Sequence, residues 1–143
     1  MRIIILNGPN LNLLEKRPGN HYGEVSLMEI ENKIRKEFPD HKFEFFQSNH
    51  EGELIDKIQK ASEYFDGLII NPGGFSHTSV SIKDALELCK ISKIEVHLSN
   101  LASRENFRHN MLTASSCDGY ISGFLEKGYL AAIFILLKNI TAT

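Results

Sequence analysis

Five short apolar runs recur along the chain, at residues 2–6, 42–47, 67–70, 93–98 and 119–122. The first and third runs, RIIIL and GLII, show no alternation of apolar and polar positions. An unbroken apolar run of this length is typical of a strand that is buried on both faces of a parallel sheet. The pattern therefore predicts a protein built around short, buried strands.

Apolar residues at helical spacing follow the first three runs and the last one, which predicts a helix after each of them. The stripes cover residues 27–38, 54–65, 80–89 and 128–139, and Val80 is expected to face inward. Helices are predicted to begin where a serine stands three residues before a glutamate, or where a hydroxyl residue precedes a stripe. These positions are Ser26 with Glu29, Ser48 with Glu51, and Thr78 or Ser79.

Strands that alternate with helices predict an α/β fold. At this length the expected form is a flavodoxin-like, doubly wound, five-stranded parallel sheet in strand order 2-1-3-4-5. We expect one catalytic domain over residues 1–143, with the first and last helices on one face and the second and third on the other. Ligands of such sheets bind beyond the carboxyl ends of the strands, where the chain direction reverses.

The loops expected at that edge cover residues 7–23, 71–77 and 99–108, and a short helix is predicted near residues 109–114. These loops are the parts of the chain richest in Asn, His, Arg and Ser. The first is also far longer than most connections in compact domains, and long connections are usually functional. Topology and composition therefore predict one functional site at the same edge of the sheet.

Composition and charge exclude several classes of function. Hydrophobic residues make up 42% and charged residues 24% of the chain, as in ordinary globular proteins. The net charge of -2 gives no basic surface for nucleic acid, and no apolar segment is long enough to cross a membrane. Since the first residues form a strand rather than an export signal, and the two cysteines lack metal-ligand spacing, we expect a cytoplasmic protein with reduced thiols.

Missing motifs narrow the chemistry further. No GxGxxG, GxxxxGKS or GxxxxGKT follows the first strand, no GxSxG is present, and no His, Cys or Asp cluster has zinc spacing. A phospho-receiver domain of this topology needs acidic residues where Asn7 and Asn71 stand. We therefore expect no metal and no other cofactor, and the remaining candidates are Arg, Tyr, His and Asn side chains.

Arg17 and Tyr22 are separated by a Pro-Gly turn, so their side chains can meet. A neutral phenol is a poor base, but a guanidinium within a few ångströms favours the phenolate. The pair is therefore a candidate general base in the long loop. The alternative is a surface tyrosine that packs on the aliphatic part of the arginine.

Glu95 and His97 lie two residues apart on the fourth strand, so their side chains point to the same side. If one ring nitrogen of His97 donates to Glu95, the tautomer is fixed and the other nitrogen can supply a proton. The pair is therefore a candidate general acid. The alternative is a buried histidine that is merely satisfied by its neighbour.

Neutral polar residues in the same loops suit a polyhydroxylated ligand, although each asparagine and serine among them can instead stabilise a local turn. They are Asn10, Asn12, Asn71, His77 and Ser99. Arg108 can pair with a ligand carboxylate, or with Glu105 at the surface. The residues alone predict proton abstraction and protonation on a small, oxygen-rich, anionic substrate.

Four blocks of sequence resemble the type II 3-dehydroquinate dehydratases. The first is LNGPNLNLL at residues 6–14, followed by Arg17 and by Tyr22 with Gly23, and the second is FQSNHEG at residues 46–52. The third is NPGGFSHTSV at residues 71–80, with DAL at residues 84–86. The fourth is EVHLSN at residues 95–100, followed by RE at residues 104–105 and FRH at residues 107–109. The blocks keep the family's order and spacing over nearly the whole chain, so they are more specific together than any single motif.

The resemblance implies a hydro-lyase that converts 3-dehydroquinate reversibly to 3-dehydroshikimate by anti elimination through an enolate. The pathway is that of shikimate and aromatic amino acid biosynthesis, or that of quinate. The family uses no metal, Schiff base or cofactor, and it assembles as a homododecamer, a tetramer of trimers. The competing hypothesis is a non-catalytic flavodoxin-like module that binds a flavin or a sugar acid.

The resemblance also implies a role for each site residue. Tyr22 takes the C2 proton with help from Arg17, and His97, oriented by Glu95, protonates the departing C1 hydroxyl. Asn10 holds a water that stabilises the enolate oxygen. The substrate-binding residues are Asn71, His77, the backbone of Leu98 and Ser99, Arg108 and, in a neighbouring subunit's site, Asp84.

The chain departs from the family's usual pattern at Glu15, at Pro18 and Gly19, at Gly74 and Phe75, and at Ala102. None of these changes removes a residue with a chemical role. The changes at residues 15 and 18–19 lie in the long loop, so we expect them to bear on its closure and on substrate affinity.

Overall fold

The structure, a computed structural model, describes residues 1–142, which are built around a five-stranded parallel sheet. The strands are β1 Arg2–Asn7, β2 Lys42–Gln47, β3 Gly67–Asn71, β4 Ser92–His97 and β5 Gly119–Ser122. Their order is β2-β1-β3-β4-β5, and every neighbouring pair is parallel. The predicted flavodoxin-like topology is confirmed, and β1 and β3 each extend one residue further than predicted, to an asparagine.

Helices follow β1, β2, β3 and β5, whereas short 3₁₀ turns connect β4 to β5. The helices are α1 Gly19–Tyr22, which is a single turn, α2 Leu27–Glu37, α3 Glu51–Tyr64, α4 Val80–Leu88 and α5 Lys127–Thr141. The four longer helices coincide with the four predicted stripes. Within residues 1–142, no helix is both long enough and apolar enough to cross a membrane.

Serine side chains cap two of these helices, as the sequence predicts. Ser26 Oγ accepts a hydrogen bond from the backbone N–H of Glu29 at 3.2 Å, and Ser79 caps α4 in the same way. The predicted cap at Ser48 is wrong, because α3 begins only after His50. The N–H of His50 donates to Ser48 Oγ at 2.9 Å, so this serine stabilises the turn before the helix instead.

The two faces of the sheet carry separate hydrophobic cores. In β1, Ile3 and Ile5 pack under α2 and α5, whereas Ile4 and Leu6 pack under α3 and α4. All four side chains are fully buried, which explains why the strand shows no alternation. Both predicted helix layers are confirmed.

The prediction that Val80 faces inward is wrong. Its side chain is 57% exposed, because Val80 occupies the first position of α4, before the turn that meets the sheet.

Residues 7–23 hold more regular structure than their sequence predicts. A 3₁₀ segment spans Leu11–Lys16 and α1 follows it, with two leucines of the segment buried in the core. Single turns contain too few residues to show a period, so the hydrophobic pattern does not reveal them. Likewise, residues 109–114 do not form the predicted helix; 3₁₀ turns at Asn106–His109 and Ala114–Ser116 flank them.

The loops after β1 and β3 are joined directly beyond the sheet. The N–H of Gly8 donates to the carbonyl oxygen of Asn71 at 2.8 Å. A Cβ on Gly8 would lie 2.3 Å from the carbonyl oxygen of Pro72, so this approach requires glycine. The two loops therefore leave the sheet as one unit.

Candidate active site

A cavity of about 130 Å³ lies beyond the carboxyl ends of β1, β3 and β4. This is the edge that the strand order predicts for ligand binding. All three predicted loops contribute to its wall. The residues selected from the sequence that line it are Asn10, Arg17, Tyr22, Asn71, His77, His97, Leu98, Ser99 and Arg108.

Tyr22 lies at the end of α1 with only 6% of its surface exposed. Arg17 Nη2 donates to its phenol oxygen at 2.5 Å, and Arg104 Nη1 donates to the same oxygen at 2.6 Å. The Arg17 guanidinium also lies over the ring, 3.6 Å from the centroid. The low exposure argues against the surface-tyrosine alternative. Two guanidinium groups that donate to one oxygen place the Tyr22 hydroxyl in a strongly positive environment.

Arg104 is the main residue that the sequence reasoning missed. It lies in the predicted loop 99–108, but spacing alone does not tell which arginine of that loop reaches Tyr22. Its side chain is 9% exposed, and it also donates to Ser99 Oγ at 3.1 Å. The available signal was its place in the fourth block that resembles the family, where no role was predicted for it.

The cavity carries an excess of positive charge. Burial lowers the pKa of Arg17, and the charges of Arg104 and Arg108 lower it further, against the opposing effect of Tyr22. Arginines that crowd one another in this way remain protonated at neutral pH, because the ordinary pKa of a guanidinium is far above that pH. The site is therefore suited to an anionic substrate.

His97 and Glu95 form the hydrogen bond that the sequence predicts. His97 Nε2 lies 2.7 Å from Glu95 Oε2, and the carboxylate is fully buried. Ser76 Oγ donates to the same carboxylate at 2.7 Å, and Thr113 Oγ1 also donates to it. Because Nε2 is held by Glu95, Nδ1 is the ring nitrogen left for a molecule in the cavity. Sequence reasoning missed Ser76 and Thr113, which lie 19 and 18 residues away from Glu95 along the chain.

His77 is held as a neutral ring beside His97. Its Nδ1 donates to the carbonyl oxygen of Asn110 at 2.9 Å, and the two imidazole rings stack with centroids 6.1 Å apart. Burial is the main cause that lowers the pKa of His77 below its ordinary value. Neutral His77 therefore offers Nε2 as an acceptor to a hydroxyl in the cavity.

Two asparagines occupy opposite walls of the cavity. Asn10 adopts φ 70°, in the left-handed region that asparagine tolerates better than most residues, and its N–H donates to Asn49 Oδ1 at 3.1 Å. Asn71 Oδ1 accepts from the N–H of Gly73 at 3.1 Å. The contact at Asn10 therefore fixes its backbone, whereas the contact at Asn71 fixes its side chain before any ligand binds.

Arg108 and Asp84 differ from the other predicted residues. Arg108 lines the cavity, but its Nε donates to Glu105 at 2.6 Å, which is the ion pair considered as the alternative. Asp84 is exposed on α4 and lies outside the cavity of its own chain. Asp84 therefore reaches a site only if subunits assemble.

The model of the family described as dehydroquinase class II matches residues 1–137. The chain belongs to the dehydroquinase class II family. One curated relative is the 3-dehydroquinate dehydratase of Thermotoga petrophila, which is 48% identical to this chain over 144 residues. The alignment covers 98% of this chain and 97% of the relative. The 3-dehydroquinate dehydratase of Caldicellulosiruptor bescii is 48% identical over 138 residues, 94% of this chain and 95% of the relative.

Solved structures of class II dehydroquinases share this fold over the same length. The type II dehydroquinase from Butyrivibrio crossotus DSM 2876 is 45% identical, with a TM-score of 0.92 over 96% of this chain and 97% of that chain. The type II dehydroquinase from Propionibacterium acnes is 32% identical, with a TM-score of 0.89 over 95% and 96%.

The departures from the family's usual pattern leave this dehydroquinase site assembled. Pro18 and Gly19 stand between Arg17 and Tyr22, yet the guanidinium still reaches the phenol oxygen. Glu15 is exposed, and Ala102, likewise exposed, lines a separate cavity near β5. Gly74 lines the active-site cavity, whereas the other changed positions do not. One change therefore lies in the cavity wall, and none replaces a predicted chemical group.

Proposed function

We propose that this chain dehydrates 3-dehydroquinate to 3-dehydroshikimate by an elimination in which Tyr22 is the base and His97 the acid. The reaction follows from membership of the dehydroquinase class II family and from full-length relatives named 3-dehydroquinate dehydratase. The roles of base and acid are assigned from one observation. The Tyr22 oxygen accepts hydrogen bonds from both Arg17 and Arg104, and His97 lines the same cavity.

The proposed first step removes a proton from carbon 2 of the substrate. The Tyr22 phenolate takes the proton, and the electron pair of the C–H bond moves toward the adjacent ketone, which becomes an enolate. A water held by Asn10 donates to the enolate oxygen, as donors in oxyanion holes do. Arg17 and Arg104 make this step possible, because they stabilise the charge on Tyr22 before the proton arrives.

The proposed second step expels the hydroxyl from carbon 1. The enolate re-forms the ketone, its carbon–carbon double bond shifts between carbons 1 and 2, and the C1–O bond breaks. His97 gives its Nδ1 proton to the departing oxygen, so that water leaves rather than hydroxide. Glu95 stabilises the imidazolium beforehand through the 2.7 Å hydrogen bond to Nε2.

Substrate binding is proposed for the remaining residues of the cavity. Asn71 and His77 bind ring hydroxyls, and the backbone of Leu98 and Ser99 binds the carboxylate. Arg108 exchanges its pairing with Glu105 for a contact with the substrate. No step in this scheme uses a metal or a cofactor, and we propose one cytoplasmic catalytic domain over residues 1–143.

The direct test is to mix the purified protein with 3-dehydroquinate and to follow ultraviolet absorbance. Loss of water conjugates the new double bond with the ketone, so an absorbance band of the enone is expected to rise with time. Tight binding of the substrate without any rise at high protein concentration would instead support a binding module. A flavin that copurifies with the protein would support the same alternative.

We also propose that the chain assembles as a homododecamer, a tetramer of trimers, in which Asp84 reaches a neighbouring subunit's site. One support is that Asp84 is exposed on α4 and lies outside the active-site cavity of its own chain. The other is an apolar surface at β5. There Tyr120 and Phe124 are 56% and 67% exposed beside a second cavity of about 570 Å³. Sedimentation equilibrium is expected to give about twelve times the chain mass of 16.2 kDa, and a monomer would contradict the proposal.

Arg104→Gln is expected to lower kcat/KM about 10-fold to 100-fold, because a hydrogen bond to a charged group is worth about 1.5–3 kcal/mol. Steady-state rates with 3-dehydroquinate measure the loss.

Arg35→Gln is the matched control, because Arg35 lies on α2 and outside the cavity. Its kcat/KM should match that of the unchanged protein. An Arg104→Gln variant with unchanged kcat/KM would show that Arg17 alone stabilises the charge on Tyr22.

A further inference from the structure

Tyr129 is a fully buried tyrosine whose hydroxyl contacts Asn71, a residue that lines the cavity. It stands on α5, on the face of the sheet opposite to Glu95 and His97. Its hydroxyl donates to Asn7 Oδ1 at 2.5 Å and accepts from Asn71 Nδ2 at 3.1 Å. The two asparagines are paired residues at the ends of β1 and β3. A phenol in an apolar core is therefore used to join the two strands that carry the catalytic loops.

These contacts fix which way the amide of Asn71 points. Its Oδ1 is taken by the N–H of Gly73, and one N–H of Nδ2 is taken by the Tyr129 hydroxyl. The amide plane is then set at both ends, and a second N–H remains on Nδ2. Since Asn71 lines the cavity, the group that it can offer to a ligand is a donor.

Burial keeps the Tyr129 hydroxyl in its protonated form. Burial raises the pKa of Tyr129 above its ordinary value, so the hydroxyl stays protonated and continues to donate to Asn7. With its proton committed to Asn7, the oxygen acts toward Asn71 only as an acceptor. A flip of the Asn71 amide would place Oδ1 against that oxygen and Nδ2 against the N–H of Gly73, and both hydrogen bonds would be lost.

We propose that Tyr129 is a positioning residue that orients the Asn71 amide so that it donates a hydrogen bond to a substrate hydroxyl. This rests on the proposed substrate-binding role of Asn71. Tyr129 is separated from the cavity by that residue, so it acts on binding and not on proton transfer. An interaction made equally in the ground state and in the transition state changes KM and leaves kcat unchanged.

The test is the steady-state kinetics of Tyr129→Phe, Asn71→Ala and the double variant. Tyr129→Phe is expected to raise KM about 5-fold to 20-fold with kcat within about 2-fold, which corresponds to one lost or misdirected hydrogen bond. In the Asn71→Ala background the same change should leave KM within about 2-fold, because the two residues act as one unit. Ile133→Val, at another fully buried position of α5, is the control for packing and should leave KM unchanged.

Three results would overturn the proposal. The first is an unchanged KM for Tyr129→Phe, and the second is the same rise in KM with and without Asn71, since a purely structural role predicts no coupling. The third is an unchanged KM for Asn71→Ala, which would refute the proposed substrate contact of Asn71 but not the dehydration, because the enone would still form. If Tyr129→Phe does not fold, Asn7→Ser replaces it, and if Asn71→Ala does not fold, Asn71→Ser replaces it. The same pattern of KM values is expected for the replacements.

Discussion

Tyr22→Phe is expected to lower kcat about 100-fold to 10,000-fold, the range that a positioned general base contributes. The substitution removes one oxygen, which accepts from Arg17 at 2.5 Å and from Arg104 at 2.6 Å. The ring stays in place, because it is 6% exposed and packs in the core under α2 and α5. The loss is therefore expected in the chemical step and not in folding, and the initial rate of enone formation measures it.

Tyr64→Phe is the matched control for this prediction. Tyr64 is 55% exposed at the end of α3, so the same chemical change there should leave kcat and KM unaltered. Circular dichroism and thermal unfolding should show that both variants keep the native fold. A near-native kcat for Tyr22→Phe would rule out this residue as the base, whatever the two arginines contribute.

The fold was predictable because the strongest signals in the sequence are local. Ile3, Ile4 and Ile5 form an unbroken apolar run because alternate side chains enter different cores. Ser26 and Ser79 cap helices by hydrogen bonds to residues three positions away. Ser48 has the same spacing to a glutamate, but its hydroxyl stabilises the preceding turn, and no short-range pattern separates the two outcomes.

The supporting residues of the site were harder to predict, because their contacts join distant parts of the chain. Arg104 reaches Tyr22 across 82 residues, and Tyr129 reaches Asn7 across 122. By contrast, Arg17 with Tyr22 and Glu95 with His97 are five and two residues apart, so spacing along a loop or a strand was enough. The two pairs that we propose to react were therefore visible in the sequence, while the contacts of Arg104 and Tyr129 required the folded chain.

His97→Asn is expected to lower kcat about 100-fold to 10,000-fold, since the departing hydroxyl then leaves without a positioned acid. Asparagine is smaller than histidine and cannot supply a proton. The fold should survive, because Glu95 keeps the hydrogen bonds from Ser76 and Thr113. His41→Asn, at a position that lines neither the active-site cavity nor the second cavity near β5, is the control and should retain the native kcat.

Isotope exchange separates the role of His97 from that of Tyr22. If the elimination passes through an enolate, His97→Asn still has the base, and it should exchange the C2 proton of 3-dehydroquinate with deuterated solvent faster than a blank without enzyme. Tyr22→Phe should show no exchange above that blank, although it retains the acid. Proton NMR of the recovered substrate measures both. An His97→Asn variant that loses exchange as completely as it loses turnover would mean that His97 is needed before the C–H bond breaks. The separate steps assigned to the two residues would then have to be abandoned.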